Sequence, residues 1–165
     1  MSFIDLHVHT TASDGTFTPA EVVEYARKKG LSALAITDHD TIAGIPEALM
    51  AAEKNREMVK KNEQWPEIVP GVEISCIYEG IEIHMLGLMI DWQDKQFDKR
   101  LSDMRKKRES RNERMIERMQ KDHIPITMDK LLFGEEDTVI TRAHFARFLE
   151  QEGYVQALSA EQADV

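Results

Sequence analysis

The chain has 165 residues, of which 42% are hydrophobic and 31% are charged. These values fit one globular domain and exclude both a disordered tail and a membrane protein. The formal net charge of −9 predicts that the molecule as a whole repels nucleic acids and membrane surfaces, so a polyanionic ligand would need a local binding site.

The N-terminal residues predict a strand with polar side chains on one face. Residues 3–9 alternate between apolar and polar side chains, which places His7 and His9 together on the face opposite Leu6 and Val8. Two imidazoles at this spacing, near the carboxyl end of a strand, lie where α/β folds bind their ligands. This strand therefore provides the first candidate functional residues.

Two helices and a second strand follow. A capping box formed by Thr18 and Glu21 begins a helix that runs to Lys29. The apolar run over residues 31–37 predicts a buried strand, and a second helix then reaches about Lys61. This alternation of strands and helices predicts an α/β fold with parallel strands.

The middle of the chain predicts a hairpin and a long basic helix. Residues 68–77 and 81–90 are strand candidates joined by a short turn, so part of the sheet is antiparallel. Residues 95–121 contain eleven Lys or Arg and five Asp or Glu, and the apolar stripe of this helix is interrupted by Arg108 and Arg111. Because two unpaired buried guanidinium groups would be costly, we expect both to bind phosphate; a solvated surface helix with paired charges is the alternative.

Each predicted strand also brings a side chain that commonly binds metal. Asp14 and His39 follow the first and second strands, and Glu73 and His84 lie in the third and fourth. Imidazoles and carboxylates that converge without a cation are costly to bury, and this mixture of donors suits manganese, iron or zinc. Since the chain has no pattern of cysteine ligands, the set predicts a catalytic rather than a structural metal centre.

Five blocks of sequence extend over nearly the whole chain: residues 5–15, 34–41, 70–75, 82–87 and 140–147. In this order they resemble the PHP (polymerase and histidinol phosphatase) superfamily. They are most similar to its branch of nucleoside 3′,5′-bisphosphate phosphatases and 5′→3′ oligoribonucleotide exonucleases. The last block lies at the start of a further predicted helix, over residues 141–151.

The resemblance implies an α/β fold, a distorted (βα)7 barrel with up to three metal ions at the carboxyl ends of its strands. Residues 1–94 and 139–165 would form an incomplete barrel, and residues 95–138 a basic helical cap inserted into it. Family members continue past the position of Val165 and add an Asp-x-His pair of ligands, so we expect this chain to be an N-terminal portion. Glu73 would be a bridging carboxylate, and the implied metal ligands are His7, His9, Asp14, His39, Glu73, His84 and His144.

For function, the resemblance implies a phosphoesterase that uses a metal-activated hydroxide. It would remove the 3′-phosphate of nucleoside 3′,5′-bisphosphates, or degrade short RNA from its 5′ end. Manganese is the expected metal, with iron, zinc and magnesium as alternatives. The residues expected to act through the metal are His7, His9, His39 and Glu73, and those expected to hold phosphate are Arg108, Arg111 and Arg142.

Two other functions remain open. One is a small phosphomonoesterase similar to histidinol phosphatase, which the long basic insertion disfavours. The other is a noncatalytic remnant that binds metal, because the Asp-x-His ligands of the family are not in this sequence. The expected partners are a small nucleotide or short RNA, with neither a membrane nor a stable protein partner.

Two remaining features concern location and surface. The single cysteine, Cys76, cannot form an internal disulfide, and residues 1–5 lack the basic start of a signal peptide, which together predict a cytoplasmic location. His123 matches none of the five blocks. Because it precedes Ile124 and Pro125 at the end of the basic helix, it is interpreted as a surface histidine.

Overall fold

A computed structural model describes residues 3–58, 65–133 and 137–155, with the side chains of all but residues 55–58. The predicted end of the second helix near Lys61, and residues 156–165 of the predicted barrel portion, lie outside the described residues. The elements in chain order are β1 (Phe3–Val8), α1 (Pro19–Lys29), β2 (Leu31–Ile36), α2 (Gly44–Met58), β3 (Glu67–Tyr78), β4 (Ile81–Leu88), α3 (Lys95–Lys121), α4 (Met128–Leu132) and α5 (Arg142–Gln151).

The four strands form one mixed sheet in the order β1-β2-β3-β4. β2 pairs in parallel with β1 on one side and with β3 on the other, and Leu34 lies opposite Ile68 in the second pairing. β3 and β4 form the predicted antiparallel hairpin, whose two-residue turn at Glu79 and Gly80 has φ of 50° and 82°. Positive φ at both residues is typical of the type I′ turn, which suits the twist of the flanking strands. The predicted α/β fold is confirmed.

The first helix has the bounds that its sequence predicts. The backbone N–H of Glu21 donates to Thr18 Oγ1 at 3.3 Å, and the N–H of Thr18 donates to Glu21 Oε2 at 2.9 Å, so both halves of the capping box form. Gly30 ends the helix at φ 75°, a conformation that costs glycine little. Helix α1 then packs beside α2 over one side of the sheet.

Two hydrophobic cores lie in the described structure. The first joins the sheet to α1 and α2, and the second joins the C-terminal half of α3 to α4 and α5 across the predicted boundary between residues 138 and 139. Fully buried members of the first core include Val23, Ala48 and Ile45. Those of the second include Ile126 and Leu131.

Helix α4 was not predicted. It contains only five residues, too few for a helical repeat of apolar side chains to show in the sequence. A local signal exists at Thr127, whose side chain accepts a hydrogen bond from the backbone N–H of Lys130 at 3.4 Å and caps the helix. The burial of Leu131 in the second core then fixes the helix in place.

The two outer strands expose apolar side chains. On β1, Phe3 is 64% exposed and Ile4 58% exposed; on β4, Ile81 is 66% exposed and Met85 57% exposed. The alternation on β4 places Ile83 and Met85 on the face opposite His84, as expected, but this face is not buried. Helices cover the central strands of the described sheet and leave its outer strands open.

Within the described residues, no helix is both long enough and apolar enough to cross a lipid bilayer.

Candidate metal centre and arginine cavity

The side chains that commonly bind metal meet near the carboxyl ends of β1 and β2, against the middle of β3. His7 and His9 lie two residues apart at the end of β1, and His39 lies just beyond β2. His39 forms an isolated parallel bridge with Glu73 of β3, next to a hydrogen bond from the N–H of Asp40 to the Glu73 carbonyl at 2.9 Å. The parallel order β1-β2-β3 thus brings together side chains that are up to 66 residues apart.

Glu73 is the centre of this cluster because its buried carboxylate faces four imidazoles. Oε2 lies 3.1 Å from His7 Nε2 and 2.9 Å from His9 Nε2. His39 Nδ1 lies 3.4 Å from Oε2, and His84 Nδ1 lies 2.8 Å from Oε1. Burial opposes ionisation of Glu73, but the hydrogen bonds and charges of these histidines outweigh it and hold the pKa of the carboxyl below its usual value.

Asp14 forms a second point of convergence. Its Oδ1 lies 3.2 Å from His9 Nδ1, and its Oδ2 lies 3.4 Å from His39 Nε2. Thr141, at the start of α5, donates a hydrogen bond to Asp14 Oδ2 at 2.8 Å. Although burial opposes ionisation here too, the hydrogen bonds from His39, His9 and Thr141 hold the pKa of Asp14 well below its usual range. Asp14 therefore presents a carboxylate at ordinary pH.

These contacts define three groups whose ligand atoms lie within 4.8 Å of one another in the described part of the chain. The groups share His9, His39 and Glu73, so cations bound to them would be neighbours. All six side chains are predicted from the sequence as metal ligands, and the structure brings them together. The groups are His7, His9 and Glu73; His9, Asp14 and His39; and His39, Glu73 and His84.

The donor atoms and the geometry of the cluster fit divalent cations. Nε2 atoms of His7 and His9 lie 3.0 Å apart, and both face the same oxygen of Glu73. Nδ1 of His39 is buried and makes no hydrogen bond within the described residues. Burial disfavours the charged form of His9, but Asp14 and Glu73 outweigh it and raise its pKa. Imidazole nitrogens and carboxylate oxygens that converge at these distances offer the lone pairs that divalent ions accept.

A buried carboxylate that was not among the predicted site residues supports the cluster. Asp38, which is 1% exposed, accepts hydrogen bonds from the N–H of Thr10 at 2.7 Å and its hydroxyl at 2.8 Å. Ser13 Oγ donates to the same carboxylate at 2.6 Å. Asp38 thereby fixes the loop between His9 and Asp14. Burial raises the pKa of Asp38 despite these bonds. Its position beside His39 in the sequence was the available signal.

The structure does not bring His144 into the three groups. Its Nδ1 accepts a hydrogen bond from the backbone N–H of Thr141 at 3.1 Å, as part of the capping box of α5. Burial lowers the pKa of His144, so the imidazole is neutral at physiological pH. Its predicted role as a metal ligand stays a prediction. In the described residues its neighbour Thr141, rather than His144, contacts Asp14.

Arg108 has a carboxylate partner that its sequence pattern did not predict. We expected no carboxylate partner for a guanidinium at this position, but Asp40 provides one: its Oδ2 accepts hydrogen bonds from Arg108 Nε at 3.1 Å and Nη2 at 2.5 Å. Arg108 Nη2 also donates to Ser75 Oγ at 2.6 Å. The side chain is buried in protein contacts, and a phosphate-binding role for Arg108 stays a prediction.

Arg111 and Arg142 line an open cavity of about 740 Å³ beside the metal-binding residues. Glu82 lies between them: its Oε1 is 3.5 Å from Arg111 Nη1, and its Oε2 contacts Arg142 Nη1. Glu82 Oε1 also lies 3.5 Å from His84 Nε2, which connects the cavity to the cluster. Arg111 Nε is buried and has no hydrogen-bond partner in the part of the chain that the structure describes.

Cys76, Lys107 and Arg114 also line this cavity, whose lining has five Lys or Arg side chains and two carboxylates, Asp40 and Glu82. The interpretation of His123 as a surface residue is confirmed, since it is exposed after the end of α3 and has φ of 62°.

The chain is similar in sequence to proteins named as exoribonucleases and as a nucleoside bisphosphate phosphatase. The chain is 41% identical over 145 residues to the 5′-3′ exoribonuclease Rnm of Salmonella typhimurium, a match covering 88% of this chain and 47% of the relative. It is 32% identical over 157 residues to a 3′,5′-nucleoside bisphosphate phosphatase of Chromobacterium violaceum. This match covers 94% of this chain and 52% of the relative. The chain spans about half the length of these curated relatives.

A solved structure has the same fold. The crystal structure of a putative metal-dependent phosphoesterase from Bifidobacterium adolescentis superposes with a TM-score of 0.81 at 37% sequence identity, over 99% of this chain and 55% of that one. The PHP domain family matches residues 5–154, which include all six clustered side chains. By sequence and by structure, this chain belongs to the PHP domain family.

Proposed function

We propose that this chain is a metal-dependent phosphoesterase that acts on nucleotides. The observation that supports it is the contact between two sites: Glu82 of the arginine cavity lies 3.5 Å from His84 of the metal-binding cluster. A phosphate ester could therefore present one phosphate to the cluster and a second to the cavity. Relatives named as an exoribonuclease and a nucleoside bisphosphate phosphatase support this class of substrate.

The metal ligands in this proposal are the six clustered side chains, with His144 as a further candidate. Manganese is the proposed metal, and iron, zinc and magnesium are alternatives that accept the same nitrogen and oxygen donors. Divalent ions in such a site polarise phosphoryl oxygens and lower the pKa of a bound water. The carboxylates of Asp14 and Glu73, whose pKa values are both held low, remain charged at the pH at which metal binds.

The proposed phosphate ligands are Arg111 and Arg142, with Arg108 close behind them. Arg111 has donor capacity left, since its buried Nε is without a hydrogen-bond partner. A guanidinium fork binds phosphate through two parallel hydrogen bonds. We therefore propose two substrates that carry a second phosphate: nucleoside 3′,5′-bisphosphates, which would lose the 3′-phosphate, and short RNA with a 5′-phosphate, which would be degraded from that end.

The test is a phosphate-release assay with the chain and Mn²⁺. The substrates are adenosine 3′,5′-bisphosphate, adenosine 3′-monophosphate, histidinol phosphate and a short 5′-phosphorylated RNA, with RNA products followed by chromatography. We expect kcat/KM for the bisphosphate to exceed that for the monophosphate by about tenfold or more, the scale of one charged hydrogen bond. A His7→Ala, His9→Ala variant should lose the activity, and His123→Ala, at an exposed histidine, should retain it.

The other outcomes would each replace the proposal. A preference for histidinol phosphate would indicate a small phosphomonoesterase. Mn²⁺ binding without hydrolysis of any of the four substrates would indicate a noncatalytic metal-binding protein.

A further inference from the structure

Asp40 joins the segment after β2, which carries His39, to the middle of β3, which carries Glu73. It directly follows His39, and its backbone N–H donates to the Glu73 carbonyl at 2.9 Å. Its side-chain Oδ1 accepts a hydrogen bond from the N–H of Ser75 at 2.9 Å. Asp40 therefore contacts the backbone of β3 at Glu73 and at Ser75, through its main chain and its carboxylate. A side chain that is 2% exposed makes these contacts away from solvent.

The other oxygen of the same carboxylate contacts α3. Arg108 donates to Asp40 Oδ2 from Nε and Nη2, at 3.1 and 2.5 Å, and from Nη2 to Ser75 Oγ at 2.6 Å. Arg105, one turn earlier, donates from Nη1 to the Asp40 carbonyl at 2.9 Å. Two turns of a helix that lies 65 to 68 residues away in sequence are thus bound to one aspartate.

The backbone of Asp40 is in the left-handed region, with φ of 52°. Residues other than glycine adopt this conformation at a cost, which aspartate tolerates better than most. Such a conformation persists where the surrounding contacts fix it. Here the contacts with Glu73, Ser75 and Arg108 all depend on it, because it turns the chain after His39 so that the N–H and the carboxylate both reach β3.

The contact between Arg108 and Asp40 also determines which side chains of α3 face the cavity. Buried residues of α3 include Leu101, Arg108, Asn112 and Ile116, which form one stripe at helical spacing. Arg111 lies just beside this stripe and lines the cavity with Glu82. If α3 slipped by one turn, another side chain would face Asp40 and Arg111 would leave the cavity.

We propose that Asp40 and Arg108 are a positioning pair that fixes α3 against the strand ends and holds His39 and Glu73 in the geometry for metal binding. The part of this proposal that concerns metal binding rests on the proposed function, whereas the part that concerns the position of α3 does not. Arginine suits this role because its planar fork contacts Asp40 and Ser75 at defined angles, which the ammonium group of lysine cannot reproduce. A buried ion pair of this kind contributes directional specificity more than net stability.

The test compares amide hydrogen exchange, measured by NMR, in the wild-type chain and two variants. Arg108→Gln removes the charge and the fork, and we expect the amides of Asp40 and Ser75 to exchange at least tenfold faster. Because a lone Asp40 carboxylate could prevent folding, the second variant is Asp40→Asn with Arg108→Gln, which buries no unpaired charge. It should show the same local acceleration. The matched control is Lys106→Gln, at an exposed residue of α3 that pairs with Asp103 on the surface.

Exchange at Asp40 and Ser75 that is unchanged in the double variant would overturn the proposal. So would an equal increase at the core amides of α1, since a merely structural role would lower protection throughout the molecule. Arg108→Lys provides a further check, because charge alone should not restore the slow exchange.

A second measurement follows Mn²⁺ affinity by calorimetry, well below the unfolding temperature of each variant. We expect at least a tenfold loss of affinity in the double variant and none in Lys106→Gln. Equal affinity in the wild type and the double variant would contradict the positioning of His39 and Glu73. If the wild-type chain bound no Mn²⁺, the proposed function would fail, and the exchange measurement would still decide whether the pair fixes α3.

Discussion

Glu82 occupies the place between Arg111 and Arg142 where a phosphate would bind. Both arginines contact its carboxylate, and the hydrogen bonds and charges of Arg142, His84 and Arg111 outweigh its burial and hold the pKa of Glu82 below its usual value. An anionic substrate would have to compete with this internal anion. Glu82 therefore affects the affinity of the cavity for anions without itself being a phosphate ligand.

We expect Glu82→Gln to bind inorganic phosphate more tightly than the wild type does. Removing the competing charge should increase affinity about twofold to fivefold at low salt, since partly exposed ion pairs contribute roughly 1 kcal/mol or less. Calorimetry on the metal-free chain measures this effect, and Glu79→Gln, in the exposed β3–β4 turn, is the control. Weaker binding by Glu82→Gln would show that the carboxylate positions the arginines instead.

Metal binding should weaken as the pH falls. A histidine binds metal in its neutral form, and the pKa of His9 is raised above the ordinary 6.5 because Asp14 and Glu73 outweigh the effect of burial. His9 is therefore increasingly protonated below a pH that is higher than usual, and protons then compete with the cation. Even one histidine of ordinary pKa costs about tenfold in affinity at pH 5.5.

The expected outcome is an Mn²⁺ affinity at pH 5.5 at least about tenfold below that at pH 8, measured by calorimetry in buffers of matched ionic strength. An affinity independent of pH over this range would mean that imidazoles are not the ligands.

Among the helices, α3 is held in place by a buried stripe that contains both apolar and polar side chains. Leu101 and Ile116 provide the apolar contacts, while Asn112, which is 1% exposed, donates from Nδ2 to the Ile140 carbonyl at 3.0 Å. Asn112 Oδ1 also accepts a hydrogen bond from Arg111 Nη2 at 3.1 Å. The helix is thus joined to the segment before α5 as well as to Asp40.

Asn112→Ala should destabilise the chain by about 1–3 kcal/mol, because the Ile140 carbonyl would lose its partner in a buried position. Urea denaturation measures the change, with Ser110→Ala, on the exposed face of the same helix, expected to fall within about 0.5 kcal/mol of the wild type. Equal stability of the two variants would indicate that the hydrogen bond from Asn112 to Ile140 does not help to hold α3.

At the scale of the whole molecule, the outer strands are the exposed part of the sheet. Apolar side chains of β1 and β4 face solvent, and β1 and β4 are the two edges of the described sheet. Edge strands with free backbone groups and apolar side chains promote association with other chains. Among the described residues of β1 and β4, only Val8 packs against either hydrophobic core.

We therefore expect the chain to self-associate as its concentration rises, and size-exclusion chromatography with light scattering measures this. Replacing Ile81 and Met85 with threonine should increase the monomer fraction, since both are more than half exposed on β4. Met50→Thr, at a residue of α2 that is 62% exposed, should not. A monodisperse monomer at all concentrations would show that these edges are not adhesive.

Much of the fold could be predicted from the sequence because its signals are local. The alternation around His7 and His9, and the capping box at Thr18 and Glu21, each depend on side chains a few residues apart. Such patterns fix the type of an element and the face that it presents, whatever the rest of the chain does. Local patterns of this kind also predict the other strands, the hairpin and α3, and the strand order then brings the six candidate metal ligands together.

Only the tertiary structure decided which partners these side chains have. Arg108 and Asp40 are 68 residues apart and Thr141 and Asp14 are 127 apart, so no local pattern connects them. A guanidinium in an apolar stripe has the same sequence signature whether it faces phosphate or a buried carboxylate. The difference lies in the packing of α3 on the strand ends, because burial requires a partner at hydrogen-bond distance and only the folded chain determines which group is there.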